Sequence, residues 1–243
     1  MIQPFSLVVG FLPVVLFLLA LLALDSFQLV TRRQVLISIG WGVAAAAIAL
    51  LLNRALLDSH LISPLALRRY VAPALEEVLK ALLVLELIRA HRIGFLVDAG
   101  IHGFAAGTGF ALVENAWYAH ALGDANPWLW VLRGLGTAVM HGSTTALVGI
   151  AARASADRGR SIVIAALPGL AVAWMVHSAY NHLVLNPLLA TAILLVVAPL
   201  ALFATFELSE RATRNWLGHG LDRDAELLEL VHSGAIVQTP TGE

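Results

Sequence analysis

The sequence predicts an all-α protein, a polytopic membrane helix bundle of about seven transmembrane helices with a short soluble C-terminal tail. Three observations carry that expectation. Hydrophobic residues fill 59% of the 243 positions against 13% charged, with a mean hydropathy of +0.83, more apolar than a soluble domain of this size. The apolar residues come in runs of about 20, the length that crosses a hydrocarbon core as a helix. The breaks between runs are polar or carry turn formers.

Taken in order, the expected spans are 5–24, 35–57, 70–90, 95–119, 129–151, 161–184 and 187–206. The first, from Phe5 to Leu24, lacks the positively charged start of a signal peptide and reads as a retained crossing. The following breaks are Asp25 to Gln34, Leu57 to Arg69, Arg89 to Gly94, Leu122 to Pro127, Arg153 to Arg160 and Asn186-Pro187. Beyond Phe206 the composition changes to Glu207, Glu210, Arg211, Arg214, Asp222, Arg223, Asp224, Glu226 and Glu229, a solvated tail that is partly helical at best. The expected division is a transmembrane domain of 1–206 and a tail of 207–243. The odd loops hold Arg32, Arg33, Arg89, Arg92, Arg153, Arg158 and Arg160, against Arg54, Arg68, Arg69 and Arg133 in the even ones. The odd loops are therefore expected in the cytoplasm, with the N-terminus outside the plasma membrane and the tail inside the cell.

Composition also excludes. A net charge of -1, with no basic run interleaved with aromatics, argues against nucleic acid. The absence of cysteine removes disulfides, thiolate metal sites and a cysteine nucleophile. Carboxylates, histidines and hydroxyls remain.

The single lysine, Lys80, lies in an apolar run beside Glu76 and Glu77, and ionisable groups in a bilayer are costly and usually functional. Counting 1.5 Å per residue, Glu76 lies roughly 9 Å from the outer end of the third span, Glu114 roughly 8 Å from that of the fourth and His177 roughly 10 Å into the sixth. His141 comes somewhat deeper in the fifth. Alternate spans run in opposite directions, so equal depth is not a consequence of spacing and points to one shared cavity in the outer half. Glu76 and Lys80, Phe110 and Glu114, Thr137 and His141, and His177 and Asn181 are each four apart and share a helix face. Pro73 suits the first turn of the third helix, whose positive dipole end favours the carboxylates that follow. A Gly103-x-x-x-Gly107 pair allows close helix approach. Taken singly, each of these groups has a structural explanation. Together, Glu76, Glu77, Glu114, His141 and His177 would need five separate compensations. Glu86, close to Arg89 and the cytoplasmic edge, is expected to snorkel or to pair locally, and Asp98 to form a local structural pair with His102. His60, His91, His120, His219 and His232 lie in loops or tail and carry little signal.

A poorly solvated carboxylate has its charged form disfavoured, the condition under which it serves as a general base. Glu76 and Glu77 stand about 100° apart around a helix, so one is the base and the other an orienting or ligand group. His141, His177 or Asn181 offers a donor to the oxyanion of amide hydrolysis.

These residues resemble the PrsW-type intramembrane proteases, within the wider group that includes the CAAX prenyl endopeptidases and bacteriocin-processing enzymes. Glu76-Glu77-Val78-Leu79-Lys80 resembles the family's Glu-Glu-x-x-Lys motif. Gly109-Phe110-Ala111-Leu112-Val113-Glu114-Asn115, followed by Tyr118, resembles its Gly-Phe-x-x-x-Glu-Asn motif. Arg133 with His141, and His177 with Asn181, resemble its later elements. The resemblance implies catalysis by Glu76, Glu77, Glu114, His141, His177 and Asn181, supported by Lys80, Phe110, Asn115 and Arg133. It implies a membrane-protein substrate such as a single-span anti-sigma factor. PrsW-type members are often labelled metalloproteases, and Glu76, Glu77, Glu114, His141 and His177 suffice as zinc ligands plus base. No His-Glu-x-x-His motif is present, and the metal-free glutamate route is favoured. The alternative is a proton- or ion-coupled transporter using the same buried groups; it calls for an internal repeat, and no symmetry between the halves is visible.

Overall fold

The computed structural model describes residues 4–25, 30–122, 127–156, 158–182, 184 and 186–232. The regular structure among these residues is all helical, without a strand. In chain order come α1 (Pro4–Leu24), α2 (Arg32–Asp58), α3 (Pro64–Ala66), a π-helical turn at Leu67–Val71, α4 (Ala72–Arg89), α5 (Leu96–Leu122), α6 (Pro127–Leu132), a second π-helical turn at Arg133–Thr137, α7 (Ala138–Ala156), α8 (Ile162–His182) and α9 (Pro187–His232). Two rods are therefore compound, α3 with α4 and α6 with α7, each passing through a π turn. The expected breaks at 25–34, 122–127 and 153–160 fall partly outside the described residues.

Among the described residues, five helices are long and apolar enough to cross a membrane: Arg32–Asp58, Leu96–Ala121, Pro127–Ala156, Ile162–His182 and Pro187–Thr205. A shorter apolar helix, Val8–Ala23, adds a sixth candidate. The charges that single α4 out in the sequence keep it from this set, although its rod lies against α2, α5, α7 and α8.

Local chemistry sets the ends. Thr31 caps α2 through a reciprocal box, in which the Gln34 N–H donates to Thr31 Oγ1 at 3.3 Å and the Thr31 N–H to Gln34 Oε1 at 2.8 Å. α4 stops at His91, whose φ of 55° turns the chain out of the helix while the Arg92 N–H closes back on the Leu87 carbonyl at 2.8 Å.

α5 is the central helix: 83% of its apolar window is buried, against 33% for α2 and α8 and 17% for α9. Phe104 of α5 stacks on Phe17 of α1 with ring centroids 4.9 Å apart, in a core shared by Val14, Leu18, Ile101, Ala138 and Ala146. In lipid the gain comes from close packing rather than from removing apolar surface from water, so small residues matter most where backbones touch. A Cβ at Gly109 would run into the Ile39 carbonyl of α2, and one at Gly107 into the His141 carbonyl of α7. The expected Gly103-x-x-x-Gly107 approach is thus made against α7. Gly107→Ala is expected to destabilise the fold by about 1–3 kcal/mol, read as earlier thermal unfolding in detergent; an unchanged midpoint would show that α7 can step aside.

The last apolar segment, Pro187–Thr205, lies where the seventh span is expected, and the helix runs on through the polar residues to His232, further than a tail that is partly helical at best. The polar residues that replace the apolar ones are themselves helix formers, and Glu207 pairs with Arg211 one turn on at 3.1 Å. A change of solvent is not a helix stop.

Candidate functional site

Both π turns directly precede the helices that carry the site. In the first, the Ala72 N–H bonds Leu67 O rather than Arg68 O, and Pro73 has no N–H to give Arg69 O. Two carbonyls are left over, each costing several kcal/mol in hydrocarbon if unpaired. α8 supplies the donors: Asn181 Nδ2 reaches Arg68 O at 3.0 Å, Ser178 Oγ reaches Arg69 O at 2.6 Å and Trp174 Nε1 reaches Tyr70 O at 2.9 Å. Pro73 does sit in the first turn of α4, as expected, but the rod continues upstream of it. These three bonds dock α8 on the start of α4 and so bring His177 to Glu76 and Glu77. They also commit the Asn181 amide to Arg68, so Asn181 does not join the cluster.

The other expected residues meet. Lys80 Nζ donates to Glu77 Oε1 at 2.8 Å and to His141 Nδ1 at 3.1 Å, with the Lys80 side chain 0% and that of Glu77 1% exposed. His141 Nε2 faces Glu114 Oε2 at 3.0 Å, and Arg133 Nη2 lies 3.2 Å from the same oxygen. Arg133 Nε donates to Asn115 Oδ1 at 2.9 Å, its guanidinium lies 3.7 Å over the Tyr118 ring, and Asn115 Nδ2 donates to the Gly10 carbonyl of α1 at 2.9 Å. The second π turn, where the Ala138 N–H reaches back to Arg133 O, sets Arg133 and His141 toward Glu114 together. Phe110 closes one wall, its ring 5.0 Å from that of His141 and 5.2 Å from Lys80 Nζ.

Partners fix the tautomers. Lys80 is only a donor, so His141 Nδ1 accepts and its Nε2–H donates to Glu114. His177 Nδ1 lies 2.8 Å from Glu77 Oε1. Its Nδ1 therefore carries the proton, and its Nε2 turns a lone pair toward Glu76 Oε2, 3.8 Å away. Glu76 differs from Glu77 in access: its side chain is 13% exposed, and Oε1 accepts one hydrogen bond, from Asn53 Nδ2 of α2 at 3.3 Å. Sequence reasoning missed Asn53. Its only signal was a carboxamide inside the apolar run that precedes Asp58.

Glu76, His141 and His177 each offer a ligand atom within 4.8 Å of the others. Two histidines and a carboxylate suit a zinc-class ion, and Glu77 behind His177 with Glu114 behind His141 is the kind of backing that orients metal-bound imidazoles. The residues fit such an ion with one change, because both ring nitrogens of His141 are engaged, by Lys80 and Glu114, and one would have to be released.

Outside the cluster, Arg89 pairs with Glu86 through Nε and Nη2 at 2.8 and 2.9 Å, as expected. Asp98 and His102 do not pair. Asp98 Oδ2 accepts the Phe95 N–H at the start of α5 at 3.2 Å, and His102 Nδ1 bonds Ser38 Oγ of α2 at 2.8 Å. A helix start attracts a carboxylate more strongly than a histidine one turn away. An apolar cavity of about 380 Å³, lined by Leu147, Val176, Ile193 and Val197 among others, opens between α7, α8 and α9, and neither His141 nor His177 lines it.

A family model described as PrsW family intramembrane metalloprotease matches residues 31–206. No curated protein and no solved structure matches the chain.

Proposed function

Because the chain belongs to the PrsW family of intramembrane metalloproteases, we propose that it is an endopeptidase that cuts a peptide bond in or near the transmembrane region of a membrane-protein substrate, with Glu76 as the base that activates water. Family and apolar helices together make it a multi-pass membrane protein. The fuller reading has seven crossings, α4 being one of them with its charges screened by neighbouring helices, the N-terminus outside and the end of α9 in the cytosol. A single-span anti-sigma factor is the substrate class to which the resemblance points. The family match weighs against the transporter alternative.

The observation that carries the mechanism is the gap of 3.8 Å between Glu76 Oε2 and His177 Nε2. It is too wide for a direct hydrogen bond, and a water oxygen at about 2.8 Å from each atom spans it. Both atoms accept, so the water gives one hydrogen to each and turns its lone pairs outward toward a carbonyl carbon. Glu76 takes the proton as the water oxygen attacks and returns it to the leaving amine nitrogen. Glu77 never meets the substrate: it holds His177 in the required tautomer and balances Lys80. Each of the three donors foreseen for the oxyanion already gives an N–H to a protein acceptor, Asn181 to Arg68 O, His141 to Glu114 and His177 to Glu77, so stabilising the oxyanion requires one of these bonds to be shared or released.

The zinc reading has an observation of its own, the Glu76, His141 and His177 set. An ion bound there would acidify its water and polarise the scissile carbonyl. The metal-free route is preferred because the Lys80 ammonium faces the one lone pair on the His141 ring. Cleavage of a reporter membrane substrate tests the protease reading: Glu76→Ala, Glu77→Gln, Glu114→Ala and His177→Ala are all expected to lose activity, and unchanged cleavage in the four refutes it. Purified, active protein is expected to keep full activity with a chelator present and only sub-stoichiometric metal. Loss on chelation with recovery on adding zinc would overturn the metal-free route.

A further inference from the structure

Asn53 is half spent. It sits in the outer part of α2 at the end of an apolar run, Leu50-Leu51-Leu52, and its Nδ2 holds Glu76 Oε1 at 3.3 Å. Its Oδ1 is buried without a hydrogen-bond partner. Exchanging the two ends of the amide is no remedy, since an oxygen would then face the Glu76 carboxylate and the NH₂ would be stranded instead. A group that only oriented Glu76 would need a donor alone. An unpaired buried acceptor is costly, and one beside a catalytic carboxylate is explained when the ligand brings the donor.

The ligand of the proposed reaction is a peptide. A transmembrane helix satisfies its own N–H groups, so its carbonyls are neither open to attack nor its N–H groups free. Cleavage requires a short unwound stretch, and each N–H released costs free energy in a poorly hydrated site. Resting on the protease reading above, we propose that Asn53 is a substrate-anchoring residue, its Oδ1 accepting a backbone N–H of an unwound segment beside the scissile bond. The site thereby selects membrane peptides that carry a locally non-helical stretch over those helical throughout.

Binding without turnover tests this. In the Glu76→Gln background, the affinity of a fluorescent single-span peptide with a Gly-Pro interruption near its outer end is measured in nanodiscs, beside an uninterrupted Leu-Ala control. The interrupted peptide is expected to bind about tenfold more tightly than the control, and adding Asn53→Ala removes most of that difference. Asn53→Asp keeps an acceptor of the same shape, and with Gln at 76 it meets no facing carboxylate; it is expected to restore affinity to within about threefold. If Asn53→Ala fails to fold, N-methylation of the peptide at successive backbone nitrogens reads the same bond from the other side, with one position losing about tenfold. Affinity indifferent to Asn53→Ala, or to N-methylation at every position, overturns the assignment. Cleavage of the interrupted peptide by the unmutated protein is scored separately: cleavage with Asn53-independent binding sinks the anchoring role and leaves the protease reading standing, whereas neither cleavage nor binding sinks both.

Discussion

Glu76→Gln is expected to lower kcat for a reporter membrane substrate by about 10²–10⁴-fold, the usual worth of a positioned general base, while KM changes little. The substitution keeps the shape of the side chain and retains an oxygen for the Asn53 amide, so unfolding in detergent should match that of the unmutated protein. What it removes, on the proposed mechanism, is the acceptor for a proton from a water placed between positions 76 and 177. A variant that still cleaves within a few-fold of the parent would show that the base lies elsewhere, with His177 the first candidate.

The second large effect concerns stability. In Lys80→Met the Glu77 carboxylate stays buried, keeps only His177 as a partner and loses its cation, while His141 Nδ1 loses its donor. Breaking a buried ion pair from one side typically costs about 3–5 kcal/mol, a large share of the stability of most proteins. Unfolding by denaturing detergent, followed by circular dichroism, should move accordingly. The double variant Glu77→Gln/Lys80→Met should recover much of the loss, because neither charge is then stranded. Equal stability of Lys80→Met and the parent would mean that water or another cation reaches Glu77.

Much of this arrangement was legible from residue order because hydrocarbon penalises exceptions. Polar groups that cost so much in lipid stand out, and helical rise alone placed Glu76, Glu114 and His177 at one depth. The assignment of roles to Glu76 and Glu77 was not legible: 100° of rotation separates them, but which one faces the open side depends on the seating of α4. The π turns left only indirect marks, Pro73 in one case and Gly134 and Gly136 in the other, since an i to i−5 bond has no composition of its own. Asn181 was one of three donors considered for the oxyanion, and its amide gives a hydrogen bond to a carbonyl freed by one of those turns, a contact that residue order alone did not show. Asn53 escaped notice because a single amide in an apolar helix has many innocuous explanations. The long course of α9 escaped because hydropathy reports where lipid ends and says nothing of where a helix does.

The three hydrogen bonds from Trp174, Ser178 and Asn181 to the π-turn carbonyls have a mechanical result. They fasten α8 to the root of α4 close to Glu76 and His177, so the two helices are expected to tilt as one piece when a bilayer thins or thickens around them. The spacing between Glu76 and His177 is thereby expected to hold when membrane thickness changes, the strain of mismatch passing to helices less firmly tied to the site, such as the sparsely buried α9.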